Sequence, residues 1–238
     1  MGAEERIFKR YEVKYLLSAT QYEALRQRID EYLVEDVYGE KDICNCYYDT
    51  PDFRLIRNSL EKPVYKEKLR LRSYGVPEEM DSTVYLELKK KFKGVVYKRR
   101  EAMTLEAAIK FLKTQQLPVE ENQILREMKW FLDFYHNLQP AMYLSYRRVA
   151  LFEKESEVRV TFDWDIRWRR SEVDLLKGIY GELLLQPGQR IMEVKTLGAM
   201  PKWFADTLDE LQIYPCSFSK YGRAYEQWLS RKQSSQIA

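Results

Sequence analysis

Lys66-Glu67-Lys68-Leu69-Arg70-Leu71-Arg72-Ser73-Tyr74 alternates side chains of opposite character. A strand sends successive side chains to opposite faces, so Lys68, Arg70 and Arg72 line one surface while Leu69 and Leu71 line the other. The same sorting recurs along the chain. In the first strand Arg10, Glu12 and Lys14 oppose Tyr11, Val13 and Tyr15. Glu87 and Lys89 oppose Val84, Leu86 and Leu88; Lys98 and Arg100 share a face. Tyr146, Arg148 and Ala150 alternate with Arg147 and Val149. Arg159, Thr161, Asp163 and Asp165 oppose Val158, Val160, Phe162 and Trp164, and Glu193 and Lys195 oppose Met192 and Val194.

One such strand is the ordinary half-buried strand with its charged face in water. Seven with basic-rich faces point further. Helices need an apolar surface to cover, and the second face of each strand offers one. If the sheet closes with its apolar faces outward beneath helices, the charged faces converge on a lumen. The expected fold is therefore α+β: a closed antiparallel β-barrel with helices packed outside. Lys14, Arg70, Arg72 and Lys98 are expected to share one cavity. Two like charges about 4 Å apart repel by roughly 4 kcal/mol at an effective dielectric near 20. A lumen of this kind suits a ligand with several phosphates, which removes the repulsion and accepts charge-assisted hydrogen bonds.

Composition fits this reading. The chain has 238 residues, 45% hydrophobic and 32% charged, and its 40 basic residues nearly balance 37 acidic ones for a net charge of +3. That small total argues against a nucleic-acid arm, and the aromatics fall mostly on apolar faces, where they cannot stack on bases. The charged first residues do not read as a signal peptide, Arg6 stands where a myristoylation site needs Ser or Thr, and no apolar run reaches the length of a membrane span. Three cysteines point to a reducing compartment, hence the cytoplasm. Cys44 and Cys46 read as buried thiols, not zinc ligands. His136, the single histidine, falls in a helical pattern, which argues against histidine-based catalysis.

No linker or repeat divides the chain, so one domain spanning residues 1–238 is expected. Strands are expected over Ile7–Leu16, Asp42–Asp49, Tyr65–Tyr74, Thr83–Phe92, Val95–Met103, Ala141–Glu153, Glu157–Arg167 and Arg190–Thr196. Ser18 caps a helix whose apolar stripe runs through Tyr22, Leu25, Ile29 and Leu33. Thr104–Asn137 reads as helical, broken near Pro118, and helices over Pro201–Leu211 and Ser217–Lys232 end the chain.

At these residues the sequence resembles the VTC-type polyphosphate polymerase domain, a branch of the triphosphate tunnel metalloenzymes with the CYTH-like fold. The likeness is carried, in order, by RYEVKY (10–15), YYDTPDFRLIRNSLEK (47–62), KLRLRSYG (68–75), VYLELKKK (84–91), VYKRR (96–100), YLSYRRVAL (143–151), VRVTFDWDI (158–166), IMEVKT (191–196) and FSKYGRAY (218–225). It implies phosphate-binding positions at Lys14, Arg70, Arg72, Lys89, Lys98, Arg148, Arg159 and Lys220, with Tyr146 beside them. Among these it implies catalytic roles for Arg70, Arg72, Lys98 and Arg148, and it places the metal-binding carboxylate, also catalytic, at Glu193. Arg10 departs from the Glu-x-Glu-x-Lys opening of many tunnel triphosphatases, and Ser217 stands where some polymerases have a basic residue.

The resemblance implies transfer of the γ-phosphoryl group of ATP, or of another triphosphate, onto inorganic polyphosphate, assisted by Mg²⁺ or Mn²⁺. The alternatives are a tunnel triphosphatase and a non-catalytic polyphosphate binder, and a membrane partner is left open. Glu12 and Glu87, each in a Glu-x-Lys pattern, read equally as metal ligands or as ion-pair partners. Lys68, Arg100 and Arg167 read as solvated strand ends.

Overall fold

The computed structural model describes residues 10–93, 95–118, 120–153 and 158–237. Among the described residues eleven strands and six α-helices form an α+β fold around a large antiparallel sheet. Two compact units interleave along the chain. The first comprises residues 1–41, 147–165 and 185–218, and the second comprises 42–146, 166–184 and 219–238.

In the first unit β1 (Arg10–Leu17) pairs with β10 (Arg190–Leu197), and β10 with β8 (Arg159–Arg169). A short β2 (Leu33–Glu35) lies along the end of β7 (Gln139–Glu153), and β11 (Pro215–Cys216) borders β1. Tyr15, Leu17, Val160, Phe162, Met192 and Val194 form one apolar face. Helices α1 (Ala19–Ile29) and α5 (Lys202–Glu210) cover it with Leu25, Ile29, Phe204 and Leu208. Ser18 caps α1 as expected: its Oγ accepts from Gln21 N at 3.1 Å, and Gln21 Oε1 accepts from Ser18 N at 3.1 Å. The helix stops at Ile29, however. Leu33 joins the same apolar cluster from a strand, because pairing with Glu153 satisfies its backbone.

In the second unit β3 (Lys41–Asp49), β4 (Tyr65–Tyr74), β5 (Thr83–Phe92) and β6 (Val95–Thr104) pair antiparallel in order, with β7 beside β3. β9 (Glu182–Leu183) adds to β8. Cys44, Cys46, Leu69, Leu71, Val84, Leu86 and Leu88 meet α3 (Leu105–Thr114) and α4 (Gln123–Tyr135). The segment expected as one broken helix is thus two. Gln115 ends α3 in the left-handed region at φ 59°, and Asn122 caps α4 through Leu125 N at 3.0 Å. Both cysteines are buried in this cluster, where burial pushes their thiols up. Helices α2 (Arg54–Leu60) and α6 (Lys220–Ile237) complete the unit, and a 3₁₀ turn covers Leu175–Lys177.

The expected closed barrel is corrected to an open sheet. Hydrogen-bonded neighbours run β11-β1-β10-β8-β7-β3-β4-β5-β6, and no described pairing joins β6 to β11. The two edges are protected by composition instead. β11 is two residues long and contains Pro215, which has no N–H to offer; β6 carries Lys98, Arg99 and Arg100. The expected strand starts at Ile7 and Glu157 lie outside the described residues, as does the side chain of Arg10.

Candidate phosphate-binding residues

Cross-strand register gathers the charges of the second unit. Tyr47 lies opposite Arg70 and Asn45 opposite Arg72. Arg70 in turn lies opposite Glu87, and Lys68 opposite Lys89. Glu87 lies opposite Arg100, and Lys89 opposite Lys98. Each of these residues lies on the face opposite the buried Cys44, Cys46, Leu69, Leu71, Leu86 and Leu88, because pleating alternates the faces.

Glu87 is the hub. Its side chain is 1% exposed, and Lys98 Nζ lies 2.6 Å from Oε1. Arg70 donates to Oε2 at 2.7 Å, Arg100 Nε is 3.5 Å from Oε1, and Arg72 Nε is 3.7 Å from Oε2. Burial would raise the Glu87 carboxyl, but Arg70, Arg72 and Lys98 outweigh it and hold the group at about 2. For Lys98, burial pulls the ammonium down, Glu87 pushes it up, and Arg70 and Arg72 add to the fall, which prevails.

The arginines are fixed from several sides. Arg70 Nη1 donates to Tyr47 Oη at 3.1 Å, Arg72 Nε to Asn45 Oδ1 at 2.9 Å, and Arg72 Nη2 to Tyr146 Oη at 2.9 Å. Asn45 is itself anchored, donating to Leu144 O at 3.0 Å. Lys220 Nζ lies 4.6 Å from the Tyr146 ring centroid, and Lys68 Nζ donates to Ser219 Oγ at 2.8 Å. On β4, β5 and β6 one face thus holds Lys68, Arg70, Arg72, Lys89, Lys98 and Arg100 with the carboxylate of Glu87 among them. Lys68 and Arg100, read from sequence as solvated strand ends, belong to this face. Arg100 also lies 3.6 Å from the Tyr85 ring centroid. The signal for both was present in the period of two.

In the first unit Lys14 Nζ lies 3.3 Å from Glu12 Oε1 and 3.5 Å from Glu193 Oε2, and it donates to Phe218 O at 3.3 Å. Burial would lower the Lys14 pKa, but Glu193 and Glu12 together raise it. Lys195 Nζ is 2.6 Å from Glu193 Oε1. Arg148 grips Asp163 with a two-point fork at 2.5 and 2.7 Å. Arg159 reaches Asp36 at 3.4 Å. Arg167 donates to Gly181 O at 3.4 Å in the second unit. Sequence reasoning missed Asp163 as the anchor of Arg148, because a lone Asp on an alternating strand carries no mark of its partner.

A divalent cation at Glu193 is chemically compatible with these groups. Glu12 and Glu193 offer hard carboxylate oxygens on both sides of Lys14. Among the described residues no group of three or more His, Cys, Asp or Glu side chains is gathered for a metal. The protein would therefore contribute one or two carboxylates, which is how Mg²⁺ is commonly held when phosphate supplies the other oxygens.

The VTC domain matches residues 9–229. No curated protein matches the chain. A candidate adenylate cyclase from Bacillus halodurans is similar in fold, with a TM-score of 0.52 at 16% identity over 87% of this chain and 92% of that one. A second candidate adenylate cyclase, from Vibrio parahaemolyticus, has a TM-score of 0.50 at 12% identity over 91% of this chain and 97% of that one.

Proposed function

The chain belongs to the VTC domain family, and from that premise we propose that it binds triphosphate and polyphosphate and extends inorganic polyphosphate from ATP. The observation that carries this reading is the Glu87 hub, where four cations surround one carboxylate. A phosphate chain entering there relieves cation repulsion and accepts forked hydrogen bonds from Arg70 and Arg72. Lys89, Lys98, Lys220 and Tyr146 in the second unit, and Lys14, Arg148 and Arg159 in the first, carry the same proposed role.

In the proposed transfer a terminal oxygen of the acceptor chain attacks the γ-phosphorus of ATP. The bond from that phosphorus to the β–γ bridging oxygen breaks, ADP leaves with the electron pair, and the acceptor gains one phosphate. The attacking oxygen is already ionised near neutral pH, so no general base is required. Arg70, Arg72, Lys98 and Arg148 would orient the phosphates and stabilise charge as the bond breaks. Glu193, with Glu12, would hold Mg²⁺ or Mn²⁺, which when bound neutralises charge on phosphate oxygens. Free, buried Cys44 and Cys46 support a cytoplasmic setting. Among the described residues no helix is long and apolar enough to cross a membrane.

Hydrolysis is the second reading, and one observation favours it: Glu12 places a second carboxylate beside the Glu193 group, as activation of water would need. Incubation with ATP and Mn²⁺, followed by separation of polyphosphate from orthophosphate, decides between them. Long-chain polyphosphate with ADP is the expected product. Orthophosphate or pyrophosphate alone, across varied metals and acceptors, transfers the assignment to hydrolysis, and no product at all leaves a binder.

A further inference from the structure

We propose that the outer end of β4, β5 and β6 is a docking surface for an anionic lipid bilayer, a property separate from the phosphate-binding residues above. Large apolar side chains crowd this end of the second unit without cover. Val64 is 63% exposed, and Tyr65, Phe92, Val95, Val96 and Tyr97 are each 43–47% exposed. By register Tyr65 lies opposite Phe92 and Phe92 opposite Val95, with Tyr97, opposite Lys90, on the same face; Val96 lies opposite Lys91 on the other face, so the strand tip carries apolar side chains on both sides. On α4, Trp130 is 58% exposed and stacks on Phe134 at 5.4 Å. Lys90 Nζ lies 6.0 Å from the Trp130 ring centroid and so ties the helix to the strand ends.

The charges around this patch choose the occupant. Lys62, Lys91 and Lys93 are exposed, and Lys66 and Lys90 are half-buried. Of the nearby carboxylates, Glu67 is buried beneath the Tyr65 and Tyr135 hydroxyls, and Glu127 is held by Arg99 at 2.9 Å. Glu61 is exposed, while Asp133 on α4 is paired with Lys129 at 2.8 Å and Glu121 with Arg126 at 3.2 Å. Beside the patch a groove of about 310 Å³ is lined by Lys90, Gln123, Arg126, Glu127 and Trp130. Aliphatic tips, interfacial Tyr and Trp, and a ring of lysines whose stems can lie along acyl chains match a negatively charged headgroup layer. Lysines also repel a second copy of the same surface.

The test is co-sedimentation of the full chain with vesicles of phosphatidylcholine alone or with added phosphatidylserine. Wild-type protein should pellet with the anionic vesicles only. Raising salt from about 0.1 M to about 1 M should release it, since the screening length falls from about 10 Å to about 3 Å. Phe92→Ser with Trp130→Ser should weaken vesicle binding at least tenfold, and so should Lys91→Glu with Lys93→Glu, whose exposed positions leave folding intact. Arg70→Ala should pellet like wild type, which separates this surface from the phosphate site. The proposal is overturned by equal pelleting with neutral vesicles, by no pelleting at all, or by binding lost in Arg70→Ala and kept in the lysine variant. Concentration-dependent dimers abolished by Phe92→Ser with Trp130→Ser, without vesicle binding, would assign the patch to a second copy instead.

Discussion

Glu87 is one negative charge among four cations, so it tunes the site as much as it stabilises it. Its folded pKa of about 2 lies below the ordinary value of 4.5. A depressed carboxylate contributes stability that is present above its unfolded pKa and lost as pH falls through its folded pKa. The contribution should therefore disappear between about pH 4.5 and pH 2, and its size is about 3 kcal/mol at most, at 1.36 kcal/mol per unit. Urea unfolding across that window should show the loss in wild type and its absence in Glu87→Gln. The variant should be less stable alone yet gain more stability from tripolyphosphate, because the cations it strands find partners in the ligand. If ligand stabilises both proteins equally, Glu87 does not compete with phosphate. Glu193 has a different proposed task. Glu193→Gln should lose most turnover while binding tripolyphosphate within about tenfold, or about 1.4 kcal/mol. Calorimetry beside a turnover assay checks this, and wild-type, metal-dependent turnover would pass the metal to Glu12.

Among the elements, α6 is the one whose placement touches the site most directly. Its Tyr221 donates to buried Asp49 at 2.9 Å, and Asp49 also accepts from Thr50, Leu55 and Ile56 backbone N–H groups at 2.8–3.0 Å. Tyr221 also stacks on Tyr47, the partner of Arg70. Tyr221→Phe leaves one lone-pair direction of a buried carboxylate unmet and should cost about 1–3 kcal/mol of stability, read from chemical denaturation. An unchanged midpoint and slope would deny α6 this anchor. The period of two on KEKLRLRSY showed which side chains share a face. It could not show that Asp49 in DTPDF binds a tyrosine on the last helix, because nothing local pairs residues 172 positions apart. Helix ends were legible where a cap was legible, as at Ser18, and were missed at Gln115, where a non-glycine residue adopts the left-handed region.

For the whole molecule, each unit is assembled from three separated segments, so no simple truncation isolates either. A chain ending at residue 146 would strip the first unit of β8 and β10 and deprive Asp49 of Tyr221. Such a fragment should show no cooperative thermal transition by circular dichroism; a sharp one would mean that the second unit folds from its first segment alone. The α+β class and antiparallel pairing could be read from alternation. Closure could not, because side-chain period carries no information on which strands are last, and the charged edge of β6 together with Pro215 ends the sheet instead. The central claim is that the basic face around Glu87 grips a phosphate chain, and calorimetric titration of tripolyphosphate into wild type and into Arg70→Ala and Arg72→Ala tests it most directly. Each charge-assisted bond is worth about 1.5–3 kcal/mol, so each variant should bind at least about tenfold more weakly while remaining folded. Wild-type affinity in both folded variants would contradict the account.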